Sequence, residues 1–405
     1  MKTLSHLDAI AFADLLDLCR EDVIDPPFKA NGSFMKQARN GTGEYWYYRG
    51  YEKPLDGSPG KATLKYAGKV GDPEIERIVA AHAARHASHR KRRELASHLR
   101  RAGLPVPQPM EGAVTAVLAE HGLFVAGSVM VGSVAFQTFG GPLGVKIEEG
   151  AYRTQDVDVA QPTRLQIDPK IPAADILVAL RGADPSFVPF FLRDEPRLIA
   201  GYRNNDNFKL EFLTPQKSER RSNSPMSEVA GLQGVGALRL KYLEFVLADP
   251  TDSVMLHDAG IRVCVPDPMR YAVHKLIVSV QRASSDAPAR SNAKALKDVV
   301  QAEALIEASV HARTAGSLGS VWVEAWNHGP KWRKNLREGT LKLAPAQLAI
   351  LADHAAEAAA MEGKDCPFEG GDPRKELVGM AAARVTGLGA AMPQQKAKQT
   401  GRDRG

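Results

Sequence analysis

Apolar residues recur at helical spacing over residues 4–24, with Leu7, Ile10, Leu15 and Leu18 on one face before Pro26-Pro27 ends the pattern, so a docking helix is expected there. Glu44-Tyr45-Trp46-Tyr47-Tyr48-Arg49 and Ala62-Thr63-Leu64-Lys65-Tyr66 flank a Gly- and Pro-rich turn and predict a β-hairpin. Asp72-Pro73 then offers an N-cap and a first-turn proline for a long helix to about Arg101, stopped by Gly103 and Pro105. From Glu111 the pattern alternates. A helix is expected over 111–121, short strands over Leu123–Ala126 and Val129–Val131, and the start of a helix over Val134–Phe139. Thr154–Ala160, Arg197–Tyr202 and Phe208–Leu213 read as strands, the last two joined through Asn204-Asn205-Asp206-Asn207. Beyond about residue 236 the chain reads as largely helical, through Leu238–Leu247, Pro268–Arg282 and Asn292–Arg313. The fold class is therefore α/β or α+β, with an N-terminal hairpin-helix region and a C-terminal helical domain.

At 405 residues the chain exceeds one ordinary domain, and two or three folded units are expected. The divisions fall at 1–28 (N-terminal helix), 29–103 (basic hairpin and long helix), 104–235 (α/β domain), 236–345 (helical domain), 346–386 (helical extension) and 387–405 (a polar tail expected to be disordered). No apolar stretch approaches the roughly 20 residues of a membrane span, and with Asp8, Asp14, Asp17 and Glu21 in the first 25 residues no signal peptide is expected. Cys19, Cys264 and Cys366 are far apart without zinc-ligand spacing, which fits a reducing, cytoplasmic setting. The net charge is +6, but residues 29–103 alone carry 16 Lys/Arg against 7 Asp/Glu. A polyanionic partner such as RNA fits this stretch, as does a solvated face. His82 and His86, spaced i, i+4, lack the intervening carboxylate of a hydrolytic zinc helix and read as part of that face.

The candidate chemistry lies in Gly132-Ser133 and in Asp156-Val157-Asp158. On a strand, residues two apart share a face, so the two aspartates project together while Val157 and Val159 turn inward. Paired carboxylates suit Mg²⁺ (or Mn²⁺), which takes oxygen ligands and keeps substrate phosphate oxygens in its shell. A Gly-Ser step at a strand-to-helix turn brings backbone N–H groups to a triphosphate. Glu211, alternating against Leu210 and Phe212, is the candidate third acid, and Asp206 in the turn is its rival.

The order strand, Gly-Ser, helix, then a strand bearing Asp-x-Asp resembles the nucleotidyltransferase superfamily of DNA polymerase beta and the bacterial minimal and toxin-type nucleotidyltransferases. The likeness runs from Leu123–Phe136 through Thr154–Asp158, Phe208–Pro215, Val265–Leu276 and Lys297-Asp298, about residues 110–310. It implies a mixed sheet with helices, metal ligands at Asp156, Asp158 and Glu211, and a triphosphate loop at Gly132 and Ser133, with Gly127-Ser128 the alternative loop. It places Lys275, beside His274 on a helix of the following domain, near phosphate. The interval from Ser133 to Asp156 is longer than in minimal members, which implies an extra loop over Gly140–Tyr152, and Glu211 stands where many members have Asp. The activity implied is transfer of a nucleoside monophosphate from an NTP to RNA or protein with release of pyrophosphate, and a toxin-antitoxin-like role is one form of it. The rival reading is a nucleotidyltransferase fold that has lost its chemistry and binds nucleic acid.

Overall fold

The computed structural model describes residues 1–22, 28–39, 43–52, 61–148, 154–161, 173–216, 224–229, 232–283 and 289–379. The tail expected over 387–405 lies outside them. Strand β1 (Lys2–Thr3) leads into helix α1 (His6–Arg20), where Ser5 and Asp8 cap each other reciprocally. Its inward face is Phe12, Leu15 and Cys19; Leu7 and Ile10, expected on that face, point to solvent. The expected hairpin is a three-stranded antiparallel sheet, β2 (Ser33–Arg39), β3 (Gly43–Glu52) and β4 (Lys61–Lys69). Helix α2 (Pro73–Arg101) runs as expected from its Asp72 cap, and α3 (Pro109–Glu120) follows.

One face of the three-stranded sheet lies against α2. Trp46 donates to Glu76 at 2.9 Å, and Tyr48 packs edge-on against Phe34 and His82. His82 and His86 face the carbonyls of Lys29 and Ala30 at 3.1 and 2.9 Å, so both rings serve to fasten this segment to the helix.

The α/β part comprises β5 (Val129–Val131), α4 (Gly132–Phe136), α5 (Gly140–Leu143), β6 (Val145–Lys146), β7 (Asp156–Ala160), α6 (Ala173–Ala183), β8 (Val188–Leu192), β9 (Glu195–Arg203), β10 (Lys209–Pro215), β11 (Met226–Glu228) and β12 (Gly236–Leu240). The main sheet runs β11-β12-β10-β7-β5, with the hairpin β8-β9 added along the first half of β10. It is mixed: β10 is parallel to β7 and β12, whereas β5 is antiparallel to β7. Leu123–Ala126, expected as a strand, is a turn because Gly122 and Gly127 on either side adopt φ of 74° and 94°. The expected loop over Gly140–Tyr152 contains α5 and β6, and β6 pairs with β1 at the chain start; residues 149–153 lie outside the described set.

The chain after 236 differs from the helical expectation. Leu238 lies on β12, paired with Leu213 of β10, and only α7 (Leu243–Val246) is helical before the hairpin β13 (Thr251–Met255) and β14 (Ile261–Val265). Sheet pairing with β10 overrides local helix propensity there. Helices α8 (Pro268–Arg282), α9 (Ala289–His311), α10 (Ala315–Asn327), α11 (Pro330–Thr340) and α12 (Pro345–Glu362) complete the order. One continuous apolar core joins the sheet, through Val157, Val159, Leu210 and Phe212, to these helices, through Leu276, Trp322 and Trp326. A second, smaller core ties α1 and α2 to β13 through Leu15, Leu99 and Val254. Among the described residues no helix is long and apolar enough to cross a membrane.

Candidate active site

Register builds the site. In the parallel pairing of β10 with β7, Glu211 stands opposite Asp158 and Lys209 opposite Asp156; in the antiparallel pairing of β5 with β7, Val131 stands opposite Asp158. Period-two alternation then buries Val157, Val159, Leu210 and Phe212 on one face and leaves Asp156, Asp158 and Glu211 half-buried on the other. The next residue after Val131 is Gly132, the first of α4, at φ 70°. A Cβ there would stand 2.8 Å from Asp158 Oδ2, so glycine is needed both for the backbone conformation and for room beside the carboxylate.

The carboxylates differ in proton affinity. Burial first, and then repulsion from Asp156 and Glu211, pushes Asp158 up to about 7. Burial also acts to raise Asp156, but a hydrogen bond from the Thr154 hydroxyl and the charge of Lys294 outweigh it and hold Asp156 below the usual range. Lys294 of α9 reaches Asp156 Oδ2 at 3.5 Å and is half exposed. Among the described residues no three His, Cys, Asp or Glu side chains close into a ready-made ion cage. The donor set nevertheless fits a divalent cation: it consists of hard oxygens, and their mutual repulsion is the energy a cation would relieve.

Helices α8 and α9 hold the turn from behind. The Tyr271 hydroxyl lies 2.9 Å from the Gly132 carbonyl and 3.0 Å from Gln301 Oε1, and Gln301 Nε2 donates to Ser133 Oγ at 3.3 Å. Lys275, which sequence placed near phosphate, is buried and bonded to Asp298 Oδ1 at 2.6 Å, and Arg282 takes the other oxygen of that carboxylate. Burial lowers the Lys275 pKa while Asp298 opposes the shift. Its neighbour His274 is driven down to about 3 by burial and then by the Lys275 charge, so it is a neutral ring. Lys297, partly buried on α9, adds positive potential near Asp156. The alternative loop residue Ser128 is buried at the other end of the β5–β7 pairing, where Gln161 donates to it at 3.4 Å. Asp206 is exposed in the turn between β9 and β10, away from Asp158's neighbours in the register. Lys294 had no signal of its own, since an exposed helical lysine looks like any other until the fold brings it within 3.5 Å of Asp156.

The sequence model of a nucleotidyltransferase family matches residues 110–327, which take in the Gly-Ser turn, the aspartate strand, β10 and helices α8 to α10. The chain belongs to this nucleotidyltransferase family, and is accordingly a transferase of nucleotidyl groups, a class that generally works with divalent metals. Among solved structures, it is similar to an antigenic nucleotidyltransferase-like protein from Paracoccidioides brasiliensis, at 16% identity and a TM-score of 0.28, over 58% of this chain and 95% of that one. No curated protein matches the chain.

Proposed function

We propose that this protein transfers a nucleoside monophosphate from a nucleoside triphosphate to a hydroxyl of RNA or of a protein, with release of pyrophosphate. The observation that carries the reading is the register that sets Asp158 between Glu211 and the Gly132 turn, with Asp156 on the same face. In this reading Asp156, Asp158 and Glu211 hold Mg²⁺ or Mn²⁺, which when bound supplies positive charge to the triphosphate oxygens. Gly132 and Ser133 present the turn to the triphosphate, and Gln301 and Tyr271 keep that turn in place. Lys294 is the cation with freedom to move from Asp156 onto a phosphate, while Lys275, tied to Asp298, contributes positive field from beneath. An acidic Asp158, repelled by its neighbours when empty of a cation, is a site prepared for positive charge. The basic stretch 29–103, with Arg49, Lys61 and Lys65 exposed on or beside the three-stranded sheet, is the surface we assign to a polyanionic acceptor. A cytoplasmic setting and a toxin-like role are part of the same proposal.

The test is transfer of label from each of the four α-labelled triphosphates onto total RNA and total protein, with Mg²⁺ or Mn²⁺, for the native chain and Asp158→Ala. Label dependent on Asp158 supports the reading and identifies base and acceptor class together. Salt-sensitive RNA binding with no transfer under any condition would favour instead a fold that binds nucleic acid without chemistry.

A further inference from the structure

The three-stranded sheet β2-β3-β4 turns Phe34, Trp46 and Tyr48 toward α2, where they meet Glu76 and His82. An antiparallel sheet covered on one side ordinarily alternates apolar-in with polar-out. Strand β3 does not. Its other set of alternate residues is Tyr45, Tyr47, Arg49 and Tyr51. Register sets Met35 of β2 and Tyr66 of β4 on either side of Tyr47, and Leu64 beside Arg49. Ring contacts agree with this shared face: the Tyr66 centroid lies 5.9 Å from that of Tyr45 and 5.7 Å from that of Tyr47. Tyr47 is buried, but Tyr51 and Tyr66 are 60% and 58% exposed, and Leu64 and Met35 are exposed beside them. Aromatic and apolar side chains grouped in the open on one sheet face mark a surface built to be covered.

Charge decides what covers it. Arg49 stands in the row between Tyr47 and Tyr51, and Lys69 stands opposite Tyr45. The acids of β3, Glu44 and Glu52, occupy the alternate positions that belong to the other face. Among the described residues of the three strands, no carboxylate stands on the tyrosine face. Strand β4 is at the edge of the sheet, and Lys61, Lys65 and Lys69 are exposed along it. Rings interleaved with cations, without acids, suit a polyanion that carries exposed planar groups, which is single-stranded nucleic acid. A duplex keeps its bases stacked inside, and an acidic peptide meets the cations but brings no planar groups to the rings. We propose that the tyrosine face of this sheet binds single-stranded RNA, with bases on Tyr51 and Tyr66 and phosphates along Arg49 and the lysines of β4. The proposal deepens the acceptor assignment above and rests on it for the choice of RNA over DNA.

The experiment is fluorescence anisotropy of the full chain, in EDTA and without triphosphate, against a labelled uridine oligonucleotide of about 12 nucleotides, within the site sizes of single-strand binders, and against the same strand annealed to its complement. The single strand should bind at least about tenfold tighter than the duplex, because it alone offers bases to the rings. Tyr66→Ala and Tyr51→Ala, both at exposed positions, should each weaken it about tenfold, the scale of one base–ring contact, and leave its salt dependence unchanged. Tyr66→Phe, which keeps the ring, should bind as the native chain does. Arg49→Gln should instead make the slope of log affinity against log salt shallower by about 0.7, the effect of one phosphate contact on a single strand. Equal affinity for single strand and duplex, or binding indifferent to both tyrosine-to-alanine variants, would overturn the proposal. So would absence of binding at micromolar protein in low salt, which would leave this face to a protein partner. Because neither metal nor triphosphate is present, failure of label transfer with this binding intact would count against the transfer reading and not against the tyrosine face.

Discussion

Asp298 offers a test of the framework behind the site that needs no knowledge of the acceptor. Its carboxylate is 2% exposed and is held between Lys275 of α8, itself 8% exposed, and Arg282 at the end of the same helix. Asp298→Asn keeps the shape but removes the charge that both cations use. Arg282, with 39% of its side chain exposed, can turn to water, whereas the Lys275 ammonium has no such exit. Breaking one side of a buried pair typically costs about 3 to 5 kcal/mol, and the escape of Arg282 places this case near the lower end, at about 3 kcal/mol. Urea unfolding of the native chain and Asp298→Asn measures it. Lys275→Met in the Asp298→Asn background should recover most of the loss, because the stranded charge is then gone. A loss below about 1 kcal/mol for Asp298→Asn, the range of exposed pairs, would refute the description of this pair as a buried charge cluster. No recovery in the double variant would refute its attribution to Lys275.

Further outcomes follow from the site itself. Gly132→Ala should cost about 1 to 2 kcal/mol for the left-handed backbone and should abolish transfer by displacing Asp158, whose Oδ2 would lie 2.8 Å from the new Cβ; a thermal midpoint and a transfer assay on the same sample check both. Tyr271→Phe removes the hydroxyl bonded to Gly132 and Gln301, and should lower stability by about 1 kcal/mol while raising the KM for triphosphate; an unchanged KM would separate Tyr271 from the turn. Lys294→Ala should raise KM for triphosphate about three- to tenfold, the scale of one partly exposed charge contact, and should leave the unfolding midpoint within experimental error; a drop in stability instead would make Lys294 a structural partner of Asp156.

What sequence conveyed about this molecule follows from how local each signal is. Helices α2 and α8 are spelled out by Asp-Pro caps and end at their expected residues. The aspartate strand was readable because alternation over Asp156–Ala160 is a two-residue property. That Glu211 stands beside Asp158 is by contrast a matter of register between strands some fifty residues apart, which alternation permits but does not decide. Lys275 shows the limit most clearly. A lysine near a phosphate site and a lysine locked to a buried aspartate have the same local sequence, and only the packing of α8 on α9 tells them apart. Over Leu238–Leu247 the apolar content looked helical because the long-range partner of Gly236–Leu240, β10, cannot be seen in the local pattern. The face of α1 was misjudged for a similar reason: Leu7 and Ile10 satisfy helical spacing, but β13 and α2 meet the helix on the side of Leu15 and Cys19.

The central claim is that Asp156, Asp158 and Glu211 form a divalent-metal site completed by a nucleoside triphosphate. Its most direct test is electron paramagnetic resonance of Mn²⁺ titrated into the protein with a triphosphate that cannot be cleaved between its α- and β-phosphates. The native chain should take up Mn²⁺ more tightly when the triphosphate is present, and Asp158→Asn should lose that enhancement while retaining its fold. Equal Mn²⁺ uptake by the native chain and Asp158→Asn, with or without triphosphate, would contradict the assignment of these carboxylates as the metal site.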